Sequence, residues 1–165
     1  MHIRTAQNQD SPAILSLIQA AFQNAPHTSH TEHLIVEALR QAHALAISLV
    51  AEAEGRIVGH VAVSPVSSSC GATDWYGLGP VSVLPEQQRL GTGSRLIEAV
   101  MALLRKQSAA GCVVLGEPEY YQRFGFKAEP SLVLADVPRE YFMALSFSGD
   151  VPCGNVAYHA AFNVT

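Results

Sequence analysis

The sequence predicts a mixed α/β fold built on a mostly antiparallel β-sheet, and three observations carry that expectation. Strand-period and helix-period segments alternate along the chain. Two apolar runs, residues 47–53 and 57–66, flank the turn Glu54-Gly55-Arg56 and read as an antiparallel hairpin. A short apolar run at 112–116 follows a long amphipathic helix, the pattern of a buried parallel strand.

Composition bounds the rest. The 165 residues are 48% hydrophobic and 15% charged, which suits a chain that buries a core and not a disordered one. The length fits one domain over 1–165, with 135–165 as late strands and a tail. A net charge of −4 provides no global basic field, so no nucleic-acid partner is expected. The longest apolar stretch, 44–51, is too short to span a bilayer, and Met1-His2-Ile3-Arg4-Thr5 lacks the apolar centre of a signal peptide. Cys70, Cys112 and Cys153 are odd in number and widely spaced, with neither a disulfide framework nor a metal pattern. A cytoplasmic protein without metal or membrane partner is the expectation.

Taken in order, residues 3–6 read as a first strand. Asp10-Ser11-Pro12 opens a helix with a capping residue before a first-turn proline, and Ile14, Leu15, Ile18 and Phe22 form its apolar face. Asn24-Ala25-Pro26 ends it. Ser29-His30-Thr31-Glu32 reads as a capping box for a second helix carrying Leu34, Ile35, Ala38 and Leu39. His27, His30, His33 and His43 cluster here without a ligand-like pairing, so they read as solvated surface groups. After the hairpin, Ser67 to Ala72 is a polar, flexible loop. Trp75-Tyr76-Gly77-Leu78-Gly79-Pro80-Val81 is a strand whose glycines and proline imply a bulge or a splayed edge. Late strands are expected at 132–134 and 141–147, completing the sheet. Tyr158 and Phe162 are candidate anchors for a tail that either covers the sheet or makes a homodimer contact.

The organising stretch runs from Val81 to Leu96. Its strand ends at Pro85, and a helix with apolar residues at Leu96, Ile97, Val100, Leu103 and Leu104 follows. Gly91 and Gly93 fall where loop becomes helix. Unpaired N–H groups and the positive end of the helix dipole make such a joint an anion site, with a diphosphate as its natural guest. Arg89 and Arg95 add charge. A kinase-type phosphate loop requires Lys then Ser or Thr after the last glycine, and Ser94-Arg95 stand there instead. A dinucleotide fingerprint requires a third small residue where Leu96 stands. Taken alone, the loop is equally compatible with an ordinary strand–turn–helix joint.

Gln88-Arg89-Leu90-Gly91-Thr92-Gly93 fits the pattern Gln/Arg-x-x-Gly-x-Gly/Ala, and Tyr120-Tyr121-Gln122-Arg123-Phe124-Gly125-Phe126 fits aromatic-Tyr-x-x-x-Gly-Phe. In this order and spacing the two motifs resemble the signatures of the GNAT superfamily of N-acyltransferases. The resemblance extends over about residues 1–134, and 113–121 resembles a bacterial subgroup of predicted N-acetyltransferases of largely unassigned substrate. It implies a GNAT-type twisted sheet with helices on both faces and acetyl-CoA as cosubstrate. It also implies that Gln88, Arg89, Leu90, Gly91, Thr92, Gly93 and Ser94 hold the coenzyme pyrophosphate, and that the Val81 and Val83 backbones pair with its pantetheine arm. Tyr121 matches the phenol that points at the coenzyme sulfur, with Tyr120 as the other choice. The segment 27–43 covers the acceptor pocket in such enzymes.

Acyl transfer to an amine requires a polarised thioester carbonyl, a proton for the leaving sulfur and a neutral amine. Leu78 and Gly79 are the candidate backbone donors to the carbonyl. Tyr121 is the candidate acid, or else an aromatic packed beside Phe124 and Phe126. Glu117 and His60 are candidate bases, each equally readable as structural, with Asp74 a weaker choice. Cys112 and Cys153 lack the basic neighbours of a nucleophilic thiol. Two function classes stay open at this point: an acetyl-CoA-dependent N-acetyltransferase acting on a small-molecule or peptide amine, and a non-catalytic acyl-CoA-binding sensor or structural relative. A nicotinamide or flavin dinucleotide protein using Gly77 and Gly79, or Gly91 and Gly93, is a third, weaker idea.

Overall fold

The computed structural model describes residues 1–165. The strands are β1 (His2–Thr5), β2 (Ile47–Ala53), β3 (Arg56–Pro65), β4 (Ser67–Ser68), β5 (Trp75–Val83), β6 (Gly111–Leu115), β7 (Lys127–Ala128), β8 (Leu132–Leu134), β9 (Phe142–Ser146) and β10 (Gly154–Ala157). The helices are α1 (Ser11–Phe22), α2 (Glu32–Gln41), α3 (Thr92–Lys106) and α4 (Pro118–Tyr121). A seven-stranded sheet runs in the order β1-β2-β3-β5-β6-β9-β7, and a three-stranded sheet in the order β4-β10-β8. Within the large sheet β5 and β6 are parallel, joined by the α3 crossover, and the other neighbours are antiparallel.

Strand alternation divides the core. Val61 and Val63 face α3 and pack with its Leu96, Ile97, Val100 and Leu104, together with Cys112, Val114 and Phe126. Ala62 and Val50 face the other way, against Ile14 and Ile18 of α1 and Val36 of α2. On that second face Trp75 and Val113 pack with Leu132, Phe142 and Val156 beneath the small sheet. Burying one such aliphatic side chain contributes about 1.5–3 kcal/mol, so the i, i+4, i+8 stripe of α3 accounts for its docking. No helix is long and apolar enough to cross a membrane.

Three local expectations are corrected. Asp10 precedes α1, but its carboxylate does not cap that helix. It accepts from Arg4 through Nη1 at 2.8 Å and Nη2 at 3.1 Å, and from the Gln7 N–H at 2.7 Å, which ties β1 to the helix start. The Arg4 guanidinium holds the Asp10 carboxyl below its ordinary pKa. At α2 no capping box forms: Thr31 makes no side-chain cap, and the Thr28 hydroxyl donates to Glu32. Val36 turns inward there, and Leu34 is exposed. The polar segment after β3 is not simply a loop, because Ser67–Ser68 pairs with β10 across the molecule. Of the late strands expected to complete the sheet, β9 joins it, with β7 as its outer neighbour, whereas the 132–134 strand, β8, builds the second sheet with β10 and β4. Pairings of such long range leave no local signal.

The tail covers the α1/α2 face. Ala161 is buried with Ile35 and Leu39 of α2, and Tyr158 stacks on Phe162 at 4.9 Å between centroids.

Two consequences are measurable. Gly111 lies against Trp75 so closely that a Cβ would overlap the rigid indole. Gly111→Ala is therefore expected to lower stability by about 1–3 kcal/mol, read as a lower urea midpoint at unchanged slope; a wild-type midpoint would contradict this packing. His60 of β3 is 0% exposed, with Nε2 2.9 Å from Ser48 Oγ and Nδ1 unpartnered. Burial pushes its pKa down from 6.5 to about 4. Between those values the unfolded chain binds a proton that the folded chain excludes, so stability is full above pH 6.5 and falls as pH drops to about 4. The loss is about 3 kcal/mol by linkage. Urea midpoints of wild type and His60→Gln across this range should differ in slope; parallel profiles would contradict a neutral buried imidazole.

Candidate active site

The site begins where two neighbouring strands part. β5 and β6 are paired from Trp75–Gly111 to Leu78–Val114 and no further. On its other edge, β5 pairs Leu78 with Val63 and Val81 with Val61, so three steps along β5 match two along β3. The additional residue makes a bulge at Gly79-Pro80, where the peptide bond is cis and Gly79 has φ +134°, a conformation that side chains disfavour. Beyond the bulge β5 stays on β3 and leaves β6, opening a fork.

The groups that face the fork follow from alternation. Leu84 N–H donates to the Val58 carbonyl on β3 at 2.9 Å. Residues one position away aim oppositely, so the N–H and C=O groups of Val81 and Val83 point into the gap. Gln88 Nε2 donates to the Val83 carbonyl at 3.0 Å. The remaining edge groups match what an amide-bearing arm needs in order to pair as an added strand. Gln88 thus clasps the strand end.

At the top of the gap lies the glycine-bearing loop. Arg89 has φ +63° and Gly91 φ +88°, both left-handed, and Gly91 is the N-cap of α3. The first helical bond runs from Arg95 N–H to Gly91 C=O at 3.0 Å. The N–H groups of Thr92, Gly93 and Ser94 therefore have no helical acceptor, and with the left-handed residues they form a concave anion cradle. Thr92 is buried, and a Cβ on Gly59 would come 3.0 Å from its methyl and from Leu96 Cδ1. Gly59 thus lets the cradle sit close upon β3. Leu90 is 69% exposed at the rim, and Arg89 is exposed beside it.

The two tyrosines of α4 take different positions. Tyr121 lies on Gly116, just past the end of β6, where a Cβ would overlap its ring, and it packs edge-on to Phe126 at 6.0 Å. Burial, reinforced by Tyr120 and Cys112 nearby, holds its phenol pKa well above the ordinary value. Tyr120 stands perpendicular to it at 5.0 Å, with its hydroxyl 3.4 Å from Ser94 Oγ and the Arg123 guanidinium 4.7 Å from its ring centroid. Tyr121 therefore attends the base of the fork and Tyr120 the cradle.

The remaining candidates fall unevenly. Leu78 is the last β5 residue paired with β6, and Gly79 occupies the bulge beside it. Burial pushes the Cys112 thiol far up, which suits an inert packing group. Glu117 is exposed at the start of α4, and its carbonyl accepts from Tyr120 and Tyr121 N–H at 3.1 Å each. His60 does not join this group: it is sealed on the α1/α2 face with Ser48 as partner, so the structure gives it no contact with a substrate in the fork. Asp74 lies before Trp75, at the far end of β5 from the opening. No cluster of His, Cys, Asp or Glu has metal-site geometry. One neighbour escaped sequence reasoning. Tyr158 of the tail lies against Gly77, one residue from Leu78, and nothing local to residue 158 signals that proximity.

Comparison with known proteins agrees with this geometry. The family model described as an acetyltransferase (GNAT) domain matches residues 2–128. The uncharacterized N-acetyltransferase YhbS of Escherichia coli K12 is 33% identical over 128 residues, covering 77% of this chain and 74% of its own. A GNAT family acetyltransferase from Brucella melitensis, solved in complex with acetyl-CoA, is 48% identical, with a TM-score of 0.88 over 98% of this chain and 97% of that one. E. coli YhbS in complex with CoA superposes with a TM-score of 0.89 at 28% identity, covering 99% and 92%. A forked sheet with an anion cradle at the head of α3, and a family match over most of its length, place this chain in the GNAT family of acetyl-CoA-dependent N-acetyltransferases.

Proposed function

We propose that the protein transfers the acetyl group directly from acetyl-CoA to a primary amine of a small molecule or peptide, within a ternary complex and in the cytoplasm. The observation that carries this reading is the open β5 edge at Val81 and Val83, with the Thr92–Gly93–Ser94 amides at one end and Tyr121 at the other. The Brucella relative was solved with acetyl-CoA and YhbS with CoA, and the same kind of occupant fits here. Bound acetyl-CoA supplies an activated thioester carbonyl. The cradle amides, with Arg89 above them, would hold the pyrophosphate. The strand edge would hold the pantetheine arm and so set the sulfur's depth in the fork.

In the transfer, a C–N bond forms as the C–S bond breaks, the amine loses a proton and the sulfur gains one. Tyr121 is suited to give that proton, because its phenol stays neutral at physiological pH. The backbone N–H groups of Leu78 and Gly79, at the closed end of the fork, are the candidate donors to the thioester carbonyl. Glu117, exposed at the start of α4, is the candidate to take the amine proton through water.

Tyr121→Phe is expected to reduce the transfer rate about 100-fold while leaving acetyl-CoA affinity within about twofold, because it removes one proton donor and no packing. A panel of small amines and peptides with acetyl-CoA, read by thiol release, provides the assay; calorimetry provides the affinity. Wild-type turnover in Tyr121→Phe would remove the phenol from the mechanism. Acetyl-CoA binding without thiol release on any amine would point to a coenzyme-binding protein that does not turn over.

A further inference from the structure

The fork has a phenol on each face. Tyr121 approaches from the α3 side and rests on Gly116 of the β6 end. Tyr158 approaches from the opposite side, where it packs with the Trp75 and Val113 cluster, and rests on Gly77 of β5. A Cβ at Gly77 would overlap the Tyr158 ring and come 3.1 Å from Val66, so the ring occupies the only space a side chain there would have. Gly77 precedes Leu78, the last β5 residue paired with β6. The ring thus stands one residue from the opening of the fork.

That ring is held in place. It stacks on Phe162 at 4.9 Å and 25°. The short turn that carries Phe162 is anchored by Ala161, buried against Ile35 and Leu39, and is capped by His159 Nδ1, which accepts the Ala161 N–H at 3.0 Å. Moving the Tyr158 ring means unstacking Phe162 and lifting the turn from α2. Burial raises the Tyr158 phenol well above its ordinary pKa, and Cys112 and Tyr121 raise it further. Gly77 and Gly116 are therefore both covered by ring edges, one on each side of the closed end of the fork.

We propose that Tyr158 is the end wall of the acyl pocket: its ring, locked on Gly77 by Phe162, limits the transferable acyl group to acetyl and the shortest homologues. The proposal rests on the site reading above, in which the sulfur lies beside Tyr121. It makes Tyr158 a specificity-determining residue and assigns it no proton transfer. A rigid ring at the methyl end of a two-carbon acyl group converts each added methylene into a clash, and discrimination of one methylene typically amounts to roughly 10- to 200-fold.

The test uses the intact chain and calorimetric binding of CoA, acetyl-CoA, butyryl-CoA and hexanoyl-CoA. Wild type should bind CoA and acetyl-CoA alike and butyryl-CoA at least about tenfold more weakly. Tyr158→Ala should bring butyryl-CoA to within about threefold of acetyl-CoA, with the affinity for CoA itself unchanged as the check on folding. Tyr158→Phe should keep the wild-type profile, because the ring and not the hydroxyl forms the wall. If Tyr158→Ala does not fold, Tyr158→Leu, which keeps bulk but shortens the side chain, should widen the profile in the same direction. Equal binding of acetyl-CoA and hexanoyl-CoA by wild type would overturn the proposal, as would a Tyr158→Ala or Tyr158→Leu profile like that of wild type. Failure of all four coenzymes to bind would instead overturn the site reading on which it rests.

Discussion

One constraint governs the site: β5 cannot pair with β6 beyond Leu78, because the bulge at Gly79-Pro80 turns it away. An unpaired row of N–H and C=O groups inside a sheet is costly unless something satisfies it. Here the row at Val81 and Val83 lies on the parted edge, with the Val83 carbonyl taken by Gln88, and is bounded at its head by the amides of α3. The α3 crossover brings the cradle to this edge, and Gly59 lets it sit low enough to share the gap.

The tyrosines show how position divides similar chemistry. Tyr120 and Tyr121 are neighbours in the chain, with rings nearly perpendicular. One reaches Ser94 at the cradle, and the other is desolvated over Gly116. Desolvation raises the pKa of the second still further above its ordinary value. His60 illustrates the converse. Burial shifts its pKa in the opposite direction, downward, yet its place between the sheet and α1 leaves it a structural group.

Local patterns in the sequence account for much of this architecture. The hairpin of β2 and β3, the parallel β6 and the apolar stripe of α3 each follow from periodicities within one segment. So does the loop–helix joint at Gly91, since its requirements are met by residues within a few positions. Asp10 misled because capping and ion pairing use the same carboxylate, and the competing Arg4 comes from another element. The same holds for Ser67–Ser68, which reads as loop until β10 is beside it. His60 was a fair candidate by type, and only the packing of α1 shows that it is enclosed. Tyr158 and Gly77 are far apart in sequence, and their contact exists only once the tail has folded onto α2.

The placement of β9 has a bearing on how the chain can be shortened. It lies between β6 and β7, and β7 has no other neighbour in the sheet. A fragment ending at residue 128, where the family match ends, would still hold every residue of the cradle and Tyr121, yet β6 would become a bare edge and Trp75 and Val113 would lose their cover. Exposed apolar edges of that kind recruit other chains. The region that carries the chemistry is therefore not self-sufficient, and expression of that fragment alone is a route to aggregates instead of a minimal enzyme.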